Sequence, residues 1–289
     1  MNTVEKLTAA LGPPRDLRVI ASGRHLVAAV GRWRHQGAQV DLGGTGTAQL
    51  VFNVSGGQRV ALRGGGCELH GVMRAGSIGV VSSDRATRVA VTGGADTVQI
   101  IVSRALIDRM AGGPASPVPA RFEVGEPRLQ AAAAQALVAL ARGPGGSRAP
   151  VDGLVSDVAR WFGQPTITLP SVPVRGGLSP TARRRVRALM DERLRADVCL
   201  PLTLGELALA AGLSVHHFVK AFHQTEGRTP YASVLARRVD LALALLLQPT
   251  ARVDWIAEQT GFSSPAHFVS AFRRRLGVTP GALRDAAAQ

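Results

Sequence analysis

Two stretches in the last hundred residues echo each other, and they constrain the fold of this chain more than any other feature. One reads Leu207-Ala208, Gly212-Leu213-Ser214, His217-Phe218-Val219-Lys220-Ala221-Phe222 and Gly227-Arg228-Thr229-Pro230. The other reads Ile256-Ala257, Gly261-Phe262-Ser263, His267-Phe268-Val269-Ser270-Ala271-Phe272 and Gly277-Val278-Thr279-Pro280. Matched residues are 50 apart from the His-Phe-Val onward and 49 apart before it, so the second copy carries one extra residue in its turn. Such self-similarity marks a supersecondary unit used twice. In the first copy Leu204, Leu207, Ala208 and Ala211 form an i, i+3, i+4, i+7 apolar stripe. Gly212 follows where a helix C-terminus needs a left-handed residue, and Ser214 stands where an N-cap hydroxyl accepts a free N–H. Phe218 and Phe222 resume the stripe. The second copy repeats this with Val253, Ile256, Ala257, Gly261, Phe268 and Phe272, and Ser264-Pro265 opens its second helix. Helix, glycine turn, helix is a helix-turn-helix. Between the copies, Val234, Leu235, Val239, Ala242, Leu245 and Leu246 predict a connecting helix within Tyr231 to Gln248.

The preceding residues have a different texture. A short helix is expected before Gly12-Pro13-Pro14. From about 15 to 105, short apolar or alternating runs follow one another: Leu17 to Ile20, Leu26 to Val30, Leu50 to Val54, Val60 to Leu62, Ile78 to Val81, Val89 to Val91 and Val98 to Val102. Gly43-Gly44, Gly56-Gly57, Gly64-Gly65-Gly66 and Gly93-Gly94 separate them, which predicts a small antiparallel barrel or sandwich. Helices are expected over about 106–163: Leu106 to Met110, then the stripe Leu129, Ala133, Ala136, Leu137, Leu140, then Val151 to Phe162. The Pro/Gly-rich residues 164–178 read as a linker. The fold class is therefore α+β with two domains, 1–163 and 179–289, the second all-α. Ser179-Pro180 starts its first helix, where Arg183, Arg184, Arg185 and Arg187 crowd the first turns. That crowding fits an anionic partner and a solvated basic face equally well.

The net charge of +14 favours polyanionic partners only weakly, because it is spread: 19 basic against 11 acidic residues over 1–175, and 15 against 9 over 176–289. The longest apolar run, Leu241 to Leu247, is seven residues, too short to span a membrane. The N-terminus lacks a basic region followed by an apolar one, and the two cysteines, Cys67 and Cys199, cannot make a disulfide framework. A cytoplasmic protein without membrane contact is expected.

These residues resemble the DNA-binding domain of AraC/XylS-family transcription regulators, over roughly 178–285. The resemblance rests on the tandem pattern above together with Arg238 and Ala242 in the connecting helix. It implies a bacterial, nucleoid-associated regulator of transcription, more an activator than a repressor. Both second helices would enter successive major-groove segments of double-stranded DNA, about 34 Å apart. With Phe218 and Phe222 in the core, Ser214, His216, His217, Lys220 and Gln224 of the first unit are the candidate DNA contacts, followed by Arg238, Ser264, Ser270, Arg273 and Arg274. His217 and His267 recur in the repeat, so a packing role competes with a contact role for each. Pro265, Ala266 and Ser270 stand where the family commonly has polar or basic side chains, which predicts poorer base readout by the second unit.

The N-terminal half resembles the same family's effector-sensing domain, a cupin-like barrel followed by dimerisation helices. This implies a homodimer, contact with RNA polymerase and control by a small-molecule effector whose site the sequence does not reveal. The Leu129–Leu140 stripe is either the dimer helix or a core helix. Trp33, between Arg32 and Arg34, either lines an effector pocket or ends a strand under arginine stems. His25, His35 and His70, with Glu68, are too scattered for a metal set, so no cofactor, metal or enzymatic activity is expected. The competing readings are a cupin-type metalloenzyme and a DNA-alkylation-response protein, each fused to a DNA-binding module. The latter lacks the cysteines its zinc site needs.

Overall fold

Strand-forming sequence from Asp16 to Ser103 builds a single antiparallel sheet. A computed structural model describes residues 1–22, 25–64, 67–83, 87–122, 126–143, 149–164, 176–196, 202–248 and 251–289. The strands are β1 (Asp16–Ser22), β2 (His25–Asp41), β3 (Thr47–Gly64), β4 (Cys67–Arg74), β5 (Ile78–Ser82) and β6 (Thr87–Ser103). Their order is β1-β2-β6-β3-β4, with β5 also paired to β3. Helix α1 (Thr3–Leu11) precedes the sheet, and α2 (Arg104–Ala111), α3 (Pro127–Ala141) and α4 (Ala149–Gly163) follow it. The remaining elements are all helical: α5 (Pro180–Ala196), α6 (Leu204–Ala211), α7 (Val215–Glu226), α8 (Pro230–Leu246), α9 (Val253–Gln259), α10 (Pro265–Leu276) and α11 (Pro280–Ala288). The fold is thus α+β, with the sheet N-terminal and helices C-terminal. No described helix is long and apolar enough to cross a membrane.

The strands are longer than the short apolar runs suggest. Leu50 to Val54 and Val60 to Leu62 belong to one strand, β3, and Val89 to Val91 and Val98 to Val102 to another, β6. Gly56-Gly57 and Gly93-Gly94 do not end these strands; they let them pass close together. Gly56 has φ +79°, and a Cβ on it would lie 2.2 Å from the Gly94 carbonyl oxygen. A register shift between Asn53 and Ser55 accompanies this bend. It changes the parity of the inward positions, from Gln49 and Val51 to Gln58 and Val60. β4 escapes sequence reading because it is a mostly exposed edge strand, with Leu69 and Val72 turned outward.

Leu7, Trp33, Val40, Leu42, Leu62 and Ile101 pack together on one face of the sheet. Helices α3 and α4 pack against β2 and β6, and α3 also against β3. Leu129, Ala133, Ala136, Leu137 and Leu140 are all buried, so the stripe on α3 is core. Trp33 is fully buried mid-strand, not at a strand end.

Two compact units emerge: Met1–Thr166 with Leu247–Pro249 and Arg273–Gln289, and Ile167–Leu246 with Thr250–Phe272. Most of the expected linker, 165–175, and residues 144–148 lie outside the described residues. The expected all-α domain ran to residue 289, whereas the last 17 residues group with the first unit. A buried ion pair accounts for part of this. Arg32 donates through Nε and Nη2 to Asp96 at 2.9 and 3.0 Å, and through Nη1 and Nη2 to the carbonyls of Ala286 and Ala287 at 2.8 and 2.9 Å. A cation at the C-terminal end of α11 also suits the helix dipole. Burial pushes the Asp96 carboxyl up, but the hydrogen bonds and charges of Arg32 and then Arg34 outweigh it and hold the group below its ordinary value.

Candidate nucleic-acid interface

The first unit of the repeat is α6, a turn and α7. Thr203 opens α6 with a capping box: its side chain accepts from the Glu206 N–H while the Glu206 carboxylate accepts from the Thr203 N–H. Gly212 takes the left-handed conformation the turn requires, at φ +69°. The Ser214 hydroxyl accepts from the His217 N–H at 3.4 Å and caps α7, an arrangement that contributes about 1 kcal/mol. Phe218 and Phe222 bury one face of α7, their ring centroids 5.5 Å apart, in a cluster with Val186, Met190, Leu207 and Ala208. The opposite face carries His216, His217, Lys220 and Gln224, all exposed as expected. Leu213 and Val215 are exposed beside them, which sequence reasoning missed; both stand off the Phe218/Phe222 stripe, and that offset was the available signal.

The arginines of α5 differ in their surroundings. Arg183 and Arg187 donate to the Glu226 carboxylate at the end of α7, at 2.8 and 3.0 Å. Burial of Glu226 raises its carboxyl, and the Arg187 and Arg183 hydrogen bonds and charges outweigh this and lower it. Arg184 and Arg185 remain exposed.

The second unit is α9, a longer turn and α10. The Ser264 hydroxyl accepts from the His267 N–H at 3.2 Å, and Pro265 is the first helical residue. Phe268 and Phe272 repeat the buried pair, again 5.5 Å apart. Phe262 is buried and packs edge-on to the His267 ring at 5.4 Å, and His267 Nδ1 lies 3.3 Å from the Ser263 hydroxyl. His267 is thus a packing residue, whereas His217 stands exposed. Ser270, Arg273 and Arg274 are exposed on α10. Arg238 departs from expectation: its Nη1 donates to the Gly261 carbonyl at 2.6 Å, half-buried within the second unit's turn. Burial lowers its guanidinium from the ordinary value without discharging it. Arg238 is less exposed than His216, His217, Lys220 and Gln224.

Elsewhere His70 is exposed on β4 and bonded to Glu68 at 2.9 Å, while His35 is buried. Among the described residues no group of three or more His, Cys, Asp or Glu side chains is placed to hold a metal ion.

A helix-turn-helix domain family matches residues 207–286. The transcriptional regulator GlxA of Rhizobium meliloti (strain 1021) is 32% identical over 154 residues, 48% of this chain and 48% of its own length. Residues 207–286 form a helix-turn-helix domain. Similar to it over a shorter stretch is the RCS-specific transcriptional activator RclR of Escherichia coli (strain K12), 35% identical over 83 residues, 29% of each chain. A solved regulator from Chromobacterium violaceum, described as containing an AraC-type DNA-binding domain, is 29% identical, covering 37% of this chain and 93% of that one at TM-score 0.34. The chain spans about half the length of GlxA and less than a third of that of RclR. In both copies the Phe pair at spacing four is buried, while His216, Lys220 and Gln224 of the first and Ser270, Arg273 and Arg274 of the second are exposed.

Proposed function

We propose that the whole chain is a sequence-specific DNA-binding regulator of transcription that acts by binding and not by catalysis. The observation that carries this is α7: one face is locked into the core by Phe218 and Phe222, and the other presents two imidazoles, an ammonium and a carboxamide to solvent. Those groups donate to base edges and phosphates. In this reading α7 and α10 enter successive major-groove segments, His216, His217, Lys220 and Gln224 read bases, and Ser264, Ser270, Arg273 and Arg274 hold the backbone. Activation through RNA polymerase, a homodimer, and control by a small effector in a barrel-like sheet complete the proposal. That one relative is named an activator supports the direction of regulation.

The test is selection of bound duplexes from a random pool by the full chain, followed by a salt titration on the winning duplex. A defined motif is expected, with log affinity falling linearly in log salt by about 0.9 per phosphate contact. No enrichment, or a flat salt response, overturns the reading.

A further inference from the structure

The first unit contains a cavity of about 50 Å³ inside the curl of its sheet. Its wall is apolar, with valines from β3, β5 and β6 and with Leu7, Leu11 and Phe122 alongside. Set into that wall are His35, Gln49, Gln58, Thr97 and Gln99. The three glutamines are 2%, 3% and 4% exposed. Gln49 Nε2, Gln58 Oε1 and Gln99 Oε1 have no hydrogen-bond partner among the described residues. A buried polar atom without a partner destabilises a fold, so three around one cavity need an explanation other than packing. Among the described residues no Asp, Glu, Lys or Arg lines the space. Burial lowers the His35 imidazole, against the charge of Asp96, which favours its neutral form. Its Nδ1 accepts from the Gly37 N–H at 3.3 Å, which places the neutral ring's proton on Nε2.

We propose that this cavity binds a small uncharged molecule that presents a hydrogen-bond donor and an acceptor together, as a short carboxamide or a vicinal diol does. The carboxamides of Gln49, Gln58 and Gln99 supply the complementary groups, and a glutamine can offer either its N–H or its carbonyl by a half-turn of the amide. The valine wall takes the molecule's carbon face. A water needs at least about 10–15 Å³ of such space, so the cavity admits about four water-sized groups, the size of a short amide or diol. The absence of lining charge excludes carboxylates and ammonium ions, whose burial unpaired is far costlier. This deepens the effector part of the function proposed above.

The test uses the full chain with acetamide, propanamide and propane-1,2-diol as neutral probes, and acetate and ethylammonium as charged counterparts. Ligand-observed saturation-transfer NMR reads binding, and thermal melting reads stability. At least one neutral probe should bind saturably and raise the melting midpoint, as any ligand of the native state does. Gln58→Met and Gln99→Met should each weaken that binding at least tenfold and melt no lower than the parent when ligand-free, because each removes a buried carbonyl oxygen that has no partner among the described residues. Gln49→Leu serves as an independent third variant. Saturable binding by no neutral probe, unchanged binding in the variants, or preference for a charged probe overturns the proposal. So does a lower ligand-free midpoint in all three variants, which would make the amides structural. None of these readouts involves DNA, so a chain that selects a duplex and binds no probe breaks this inference alone.

Discussion

The two helix-turn-helix units are built on one plan and finished by different means. Both bury a Phe pair at spacing four, and both cap the second helix with a serine hydroxyl. In the first, the turn's Leu213 is exposed and His217 stands free of the core; in the second, Phe262 is buried and holds His267 against it. Glu226 closes the first unit's α7 through ion pairs, whereas the matching position in α10 is the buried Leu276. Arg238 fastens the second turn through the Gly261 carbonyl. A repeat conserves where the backbone goes; it leaves open whether a given position packs or points into solvent.

The largest expected effect tests the shared plan. Phe222→Ala and Phe272→Ala should each lower unfolding stability by about 3–5 kcal/mol in denaturant melts, since each empties a fully packed site. Costs differing more than twofold would break the equivalence of the two scaffolds.

A smaller effect tests the difference. His216→Ala and Lys220→Ala should each cost about 1–3 kcal/mol of discrimination between a selected duplex and a scrambled one, while Ser270→Ala changes it by less than about twofold. Equal losses on both duplexes would make the first unit an electrostatic anchor.

The smallest effect concerns acid. The Glu226 carboxyl is lower in the folded chain than in the unfolded one. Its ionisation therefore stabilises the fold fully above the ordinary carboxylate value, about 4.3, and that contribution is lost as pH falls through the lower folded value. Glu226→Gln should be less stable at pH 7 and flatter in its acid limb, measured by melting from pH 7 to 2. An unchanged acid limb would show that the ion pairs with Arg183 and Arg187 contribute nothing to how the first unit is held.

Helices and their exposed faces were legible because a 3.6-residue period, a left-handed glycine and a serine cap are local signals. Ser214 and Ser264 cap where their spacing placed them. The bond of Arg238 to the Gly261 carbonyl was not legible, because that partner is 23 residues away and invisible to periodicity. The strand joints at Gly56 and Gly93 were misread for a similar reason: a glycine pair ends a strand or bends it depending on what lies across the sheet. Gln49, Gln58 and Gln99 were overlooked, although each occupies an inward position where valine or leucine is the norm. Polar residues at core parity were the signal, and only the register shift at Asn53 reveals that all three face one space.

The alternation that hides those glutamines has a mechanical consequence. Gln49 sits between Ala48 and Leu50, and Gln99 between Val98 and Ile100, whose side chains are buried on the sheet's other face, where α3 and α4 pack. Cavity and helical layer are therefore opposite sides of one wall a single backbone thick. A molecule that moves a glutamine amide strains the same peptide planes that seat the helices, with no intervening layer to absorb the displacement.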